Sequence, residues 1–227
     1  KRELEAVLDE PSWVPPFHDQ TGKILEGSMK GVDLGAAMRG WTLSAMLKML
    51  EARLSEGICE QTKEKLRDRI VAPYLEALET GPTDGMWWMT TTNNWNPICH
   101  GGVVGTAVTV SGEEDVQCVL EGVQQYLPHY FDGFTEDGYL DEGVSYWNFG
   151  LNHFLLLAQE IRRATNGELD FLAHAKVKAA YRYGNEFEIL NNIYPSFNDS
   201  TMNSTPALWI LEFLEAYFEI GRASCRE

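Results

Sequence analysis

The run Asn93-Asn94-Trp95-Asn96-Pro97-Ile98-Cys99-His100-Gly101-Gly102 gathers three asparagines, an imidazole and an indole around one predicted helix start. Pro97 suits the first helical position, and Asn96 before it suits the N-cap, where its side chain accepts from a free backbone N–H. Asn93, Asn94 and Trp95 then fall in the loop just ahead, at the positive end of the helix. Amides and an aromatic face aimed at one spot suit a polar ligand, anionic or carbohydrate-like. In the plainer alternative Asn96 only caps, His100 is a packed core imidazole, and Trp95 fills a gap.

A second group, Asp137-Gly138-Tyr139-Leu140-Asp141-Glu142-Gly143-Val144-Ser145-Tyr146-Trp147-Asn148-Phe149-Gly150, is a Gly- and acid-rich loop that ends in aromatics. It leads into an apolar run over 151–161, so Tyr146 and Trp147 fall near a helix start, where a side chain can project into a cavity. The two groups together resemble the heparinase II/III-like family of polysaccharide lyases. Trp13-Val14-Pro15-Pro16-Phe17-His18-Asp19, Val32-Asp33-Leu34-Gly35-Ala36-Ala37-Met38-Arg39-Gly40-Trp41 and Tyr194-Pro195-Ser196-Phe197-Asn198-Asp199 are similar to that family as well. The likeness covers roughly residues 10–218; its two central motifs are fairly specific together and weak apart.

The resemblance implies an (α/α) toroid and cleavage of a uronic-acid-containing glycan, heparin/heparan sulfate-like or alginate-like, by β-elimination. In that chemistry a base removes the proton at C5, a donor stabilises charge growing on the C6 carboxylate, and an acid protonates the leaving oxygen. Donors placed where charge develops supply much of the catalysis. An asparagine amide can bond the carboxylate without titrating, and a tyrosine can move the proton once its neighbours lower its pKa. Carried over to this chain, the family's chemistry makes Asn94 the neutraliser, with Asn93 as understudy, and Tyr146 the acid and potentially the base. His100 lies one turn past Asn96, able to reach the carboxylate or to brace Asn94; relatives carry Asn at this place, which weakens its claim. Trp88, Trp95 and Trp147 are candidate sugar platforms, although such indoles are as often core. Glu142, with Asp141, is a candidate partner for sugar hydroxyls or else shapes an acidic turn. Asn96, Asn148 and Asn198 complete the candidate substrate contacts. His18, His129, His153 and His174 read as structural or exposed. The resemblance also implies a C-terminal β-sandwich domain carrying a further catalytic histidine, which has no counterpart here, and a periplasmic or secreted location.

Helical periodicity must position these residues. It predicts helices over 33–54, 60–78 (broken or kinked near Pro73), 97–110, 113–127, 147–164, 170–187 and 204–218, with the Met and Leu stripes of 34–54 as core. Strand-like alternation is scarce. The expected architecture is all-α, an incomplete (α/α) toroid of antiparallel helical hairpins over 1–218. The final residues, Ile220-Gly221-Arg222-Ala223-Ser224-Cys225-Arg226-Glu227, back-translate to a common sequencing-library adapter, so 219–227 reads as a non-native tail. Lys1 opens directly into a helical pattern, and both ends read as cut from a longer protein. On that reading the fragment alone is expected to be inactive or nearly so.

The chain has 227 residues and a formal net charge of −16, which becomes about −17 without the tail. Such acidity argues against a nucleic-acid partner or a basic membrane-surface role, and it is awkward for an enzyme binding polyanions. It also leans the substrate away from the most sulfated glycans. Cys59, Cys99 and Cys118 show neither metal-ligand spacing nor a disulfide framework, and no metal or cofactor is expected. No run reaches transmembrane length. Other readings of the same residues stay open: a glycoside hydrolase using carboxylates among Asp137, Asp141 and Glu142, a uronyl C5-epimerase, or a non-catalytic helical glycan-binding module.

Overall fold

A computed structural model describes the backbone of residues 2–224 and the side chains through residue 219. The protein is all-α: among the described residues there is no strand, and only an isolated bridge joins Leu190 and Ile193. No helix among them is long and apolar enough to cross a membrane. The chain forms two compact units, one of Lys1–Thr91 with Trp95–Pro128, the other of Thr92–Asn94 with His129–Glu227.

The first unit carries α1 (Arg2–Asp9), α2 (Leu34–Leu50), α3 (Glu56–Leu66), α4 (Ala72–Thr80), α5 (Trp95–Val110) and α6 (Glu113–Tyr126). Asp33 caps α2, its carboxylate accepting from the Ala36 N–H at 2.7 Å. The break expected near Pro73 is a π-helical segment over Arg67–Val71, which joins α3 to α4. Proline lacks the N–H that would continue the regular ladder, and the wider turn absorbs the mismatch.

Helix α5 is buried almost from end to end, every residue from Asn96 to Ala107 included. A helix sheathed on all sides needs small residues where a neighbour crosses. A Cβ on Gly102 would lie 2.4 Å from the Ala37 carbonyl oxygen of α2, and one on Gly105 would lie 2.5 Å from the Trp41 ring. The glycines therefore let α2 and α5, the most extensively packed pair of helices, come together. The same crossing sets the buried face of α2, which is Ala36, Ala37, Gly40, Leu43, Ser44 and Leu47. This corrects the expected Met and Leu core stripe: Leu43 and Leu47 belong to the core, while Met38 and Met49 are exposed, because the tight crossing takes the small residues.

The second unit contains α8 (Gly143–Ala164), α9 (Ala175–Glu186) and α10 (Leu208–Ser224). The short helix α7 (Pro128–Asp132) stands at the boundary. Helix α8 buries Trp147, Leu151, Phe154, Leu155 and Ala158; the Trp147 indole donates to the Ala180 carbonyl at 3.2 Å. Tyr130, Phe131, Phe134 and Phe154 form an aromatic cluster, edge-to-face at Tyr130–Phe134 and Phe131–Phe154 and tilted at Tyr130–Phe154. The tail expected over 219–227 falls almost wholly on residues outside those whose side chains are described.

Candidate active site

In the second unit the site is built on the first two turns of α8. Gly143 opens the helix with φ +80°, a conformation L side chains rarely adopt, and a Cβ there would meet Ser200 and the Phe197 carbonyl. Two residues on, Ser145 lies in the first turn with a hydroxyl network to Ser200, Thr201 and Ser204. Next comes Tyr146, half-exposed, its ring edge-on to Phe149. One turn beyond Tyr146 is Gly150. A Cβ on Gly150 would lie 2.8 Å from the Tyr130 hydroxyl and 3.4 Å from the Asn94 Cβ. Glycine at that position lets Asn94 and Tyr130 close onto the helix. Because positions i and i+4 share a helix face, Asn94 sits against the face that presents Tyr146.

Three polar atoms here lack any protein partner: the Asn94 amide nitrogen, the Tyr130 hydroxyl and one oxygen of Glu142, all buried. Unanswered buried polar atoms cost about 1–3 kcal/mol each, so two donors and an acceptor in one neighbourhood call for a functional explanation. The Asn94 backbone N–H donates to Glu142, tying that carboxylate to the asparagine. Burial pushes the Glu142 carboxyl above its ordinary range, the Asp141 and Asp199 charges push it further, and the Asn94 N–H opposes them. Burial, helped by the Glu142 charge, raises the Tyr130 phenol far above its usual value, which keeps its proton in place. Tyr130 is thus a neutral donor. Sequence reasoning missed it: in Pro128-His129-Tyr130-Phe131 a tyrosine beside a phenylalanine reads as core.

Several expected contacts are corrected. Asn148 spends its whole amide within the protein: Nδ2 donates to the Thr205 carbonyl at 2.8 Å, and Oδ1 accepts from the Ala207 N–H at 2.7 Å, fastening the entry to α10. Asn198 adopts φ +47° and donates to the Asp141 carbonyl, so it pins the acidic loop. Trp147 is fully buried and cannot stack a sugar. Asp137 sits in an exposed turn, its carboxylate accepting from the Thr135 hydroxyl, which lowers its pKa. His153 is held by the Phe149 carbonyl and His174 caps α9, both shifted down by burial, in keeping with the structural roles expected of them. Asn93 is half-buried.

The remaining residues of the asparagine run belong to the first unit. Helix α5 begins at Trp95, so Asn96 is inside the helix and does not cap it. Its amide donates to the Met89 and Tyr126 carbonyls, each at 3.0 Å, and is fully buried. His100 is also fully buried, its Nδ1 3.2 Å from the Tyr74 hydroxyl and its ring edge-on to Tyr74 and Trp88. Trp88, fully buried, donates to the Val32 carbonyl at 2.6 Å. Asn96, His100 and Trp88 are core residues and make no contact with a sugar: the helix starts two residues earlier than Pro97 marks, which turns this stretch inward. Trp95 remains half-exposed, with Trp87 and His18 against it at ring-centre distances of 4.8 and 4.9 Å. No family model matches the chain, and no curated protein matches it.

Proposed function

We propose that this chain supplies the charge-neutralising and proton-transferring residues of a polysaccharide lyase acting on a uronic-acid-containing glycan, on an incomplete α/α-toroid scaffold. The observation that carries the reading is the buried Asn94 amide, whose donor has no protein acceptor, set against the face of α8 that bears Tyr146. An amide donor aimed at a uronate carboxylate stabilises the dianion that forms as the C5 proton leaves, and it does so without taking up a proton itself. Tyr130, fixed in its neutral form, is suited to share that load as a second donor. Tyr146, half-exposed on the same helix, takes up the C5 proton and returns it to the leaving oxygen, serving as base and then acid. The Glu142 carboxylate, accepting from the Asn94 backbone, fixes the asparagine and favours its orientation.

A hydrolase using Glu142 as a raised-pKa acid is the second reading, favoured by the upward shift of that carboxyl. The two differ in product. In the full-length protein, a panel of uronate polysaccharides should yield the ultraviolet absorbance of an unsaturated uronate. Tyr146→Phe should abolish turnover and leave glycan binding nearly intact, and Asn94→Ala should slow the reaction by about a hundred-fold or more. Full activity of Tyr146→Phe, or new reducing ends without the chromophore, would eliminate the lyase and move the reaction to Glu142.

A further inference from the structure

We infer that the first unit holds a separate binding site for an uncharged sugar ring, in a cavity of about 410 Å³ walled by Phe17, Trp87 and Trp95. The inference stands on geometry within that unit and does not depend on the lyase reading. The volume is in the range of small-molecule sites.

The wall is contiguous. Phe17 meets His18 edge-on at 4.5 Å, His18 meets Trp95 at 4.9 Å, and Trp95 meets Trp87 at 4.8 Å. Its outer members are unusually open for their type, Phe17 at 74% and Trp87 at 45% exposure. The negative face of an aromatic ring attracts the weakly positive C–H edge of a partner, and one face of a pyranose presents several such C–H groups. An exposed aromatic face such as that of Phe17 or Trp87 therefore suits a sugar ring better than it suits an extended aliphatic chain.

The polar lining fixes the charge of the ligand. His18 Nδ1 lies 2.6 Å from Asp33 Oδ2, while the other Asp33 oxygen is held by the Ala36 N–H. An ionised carboxylate only accepts, so Nδ1 carries the proton and Nε2 is the ring atom left for a ligand hydroxyl. Because Asp33 is buried and doubly bonded, the imidazole is locked in orientation before anything binds. Asp19 and Asp84 also line the cavity, and no lysine or arginine does. Carboxylates are strong acceptors for sugar hydroxyls. With three of them and no lysine or arginine, the cavity disfavours a uronate or a sulfated ring. It selects a neutral ring, and the geometry gives the glycan-facing role to Trp95 that Trp88 and Trp147 cannot fill.

The test titrates the 227-residue chain at low ionic strength with cellotetraose, a neutral tetrasaccharide, by tryptophan fluorescence and calorimetry, and with tetragalacturonate alongside. Cellotetraose should bind and tetragalacturonate should not compete. Trp87→Ala and Phe17→Ala, both at exposed positions that the fold tolerates, should each weaken binding by about five-fold or more. His18→Ala should weaken it as well. Tyr146→Phe should leave cellotetraose binding unchanged, so failure of this site and failure of the lyase reading are separable. No binding of cellotetraose, binding indifferent to Trp87→Ala and Phe17→Ala, or equal competition by tetragalacturonate overturns the proposal.

Discussion

At the scale of single residues, Glu142 offers the sharpest check on the site. Its folded pKa is raised, by burial first and by Asp141 and Asp199 after that. A raised folded pKa means the folded state holds the proton more tightly than the unfolded chain does. Its contribution to stability is therefore complete below the unfolded value of about 4.3 and is lost as pH rises through the folded pKa. Once ionised above that pKa, the half-buried carboxylate is a standing cost. Glu142→Gln keeps an acceptor for the Asn94 N–H and removes the charge, so it should raise the melting temperature at neutral pH by an amount on the order of a few degrees. The gain should shrink toward about pH 4; a gain that grows in acid would contradict the assignment. Asn94 and Tyr146 stood out in the sequence through the two motifs that carry the family resemblance and through their place near predicted helix starts. Asn96 and His100 misled for a physical reason: a polar side chain satisfied by backbone carbonyls in a core has the same one-letter signature as one facing a ligand. Asn148 misled in the same way, its amide serving Thr205 and Ala207.

Among elements, the helices were legible nearly throughout. Periodicity over 113–127 corresponds to α6 at Glu113–Tyr126, and 97–110 corresponds to α5 at Trp95–Val110. Several starts shift: α9 begins at Ala175 where 170 was expected, and α8 at Gly143 where 147 was expected; in α8 the positive φ of Gly143 and the Ser145 hydroxyl network start the helix without any apolar signal. Helix α5 carries a glycine pattern whose meaning was hidden, since small residues give no periodic moment. What they do is admit α2. Gly102→Ala would push a methyl to 2.4 Å from the Ala37 carbonyl oxygen, and backbone on both sides leaves little room to yield. Overpacking of this kind costs about 1–3 kcal/mol. A urea titration of Gly102→Ala should show the midpoint lowered with the slope unchanged; an unaltered midpoint would mean that the crossing is looser than described.

At the scale of the whole molecule, charge dominates: a net −16 on 227 residues. Like charges on a compact chain repel, and salt shortens the reach of that repulsion from about 30 Å at 0.01 M to about 8 Å at 0.15 M. The melting temperature should therefore rise with sodium chloride over that range, read by circular dichroism. A fall would mean that attractive pairs such as Lys63 with Glu51 and Glu60 outweigh the net field. All-α character was legible from the absence of alternation, because it depends only on local pattern. The division into two units was not, because it depends on which distant segments bury one another. That division has a consequence for inheritance. Thr92–Asn94 clusters with the second unit, while the chain on either side clusters with the first. Neither unit is then a single continuous stretch of gene. A cut between codons 128 and 129 delivers the second unit without Asn94, and a cut after codon 91 delivers the first without its central helix. Recombination can move the pair as one cassette, but it cannot shuffle either half intact, and a ribosome must have extruded the whole of α5 and α6 before the first unit can close its core.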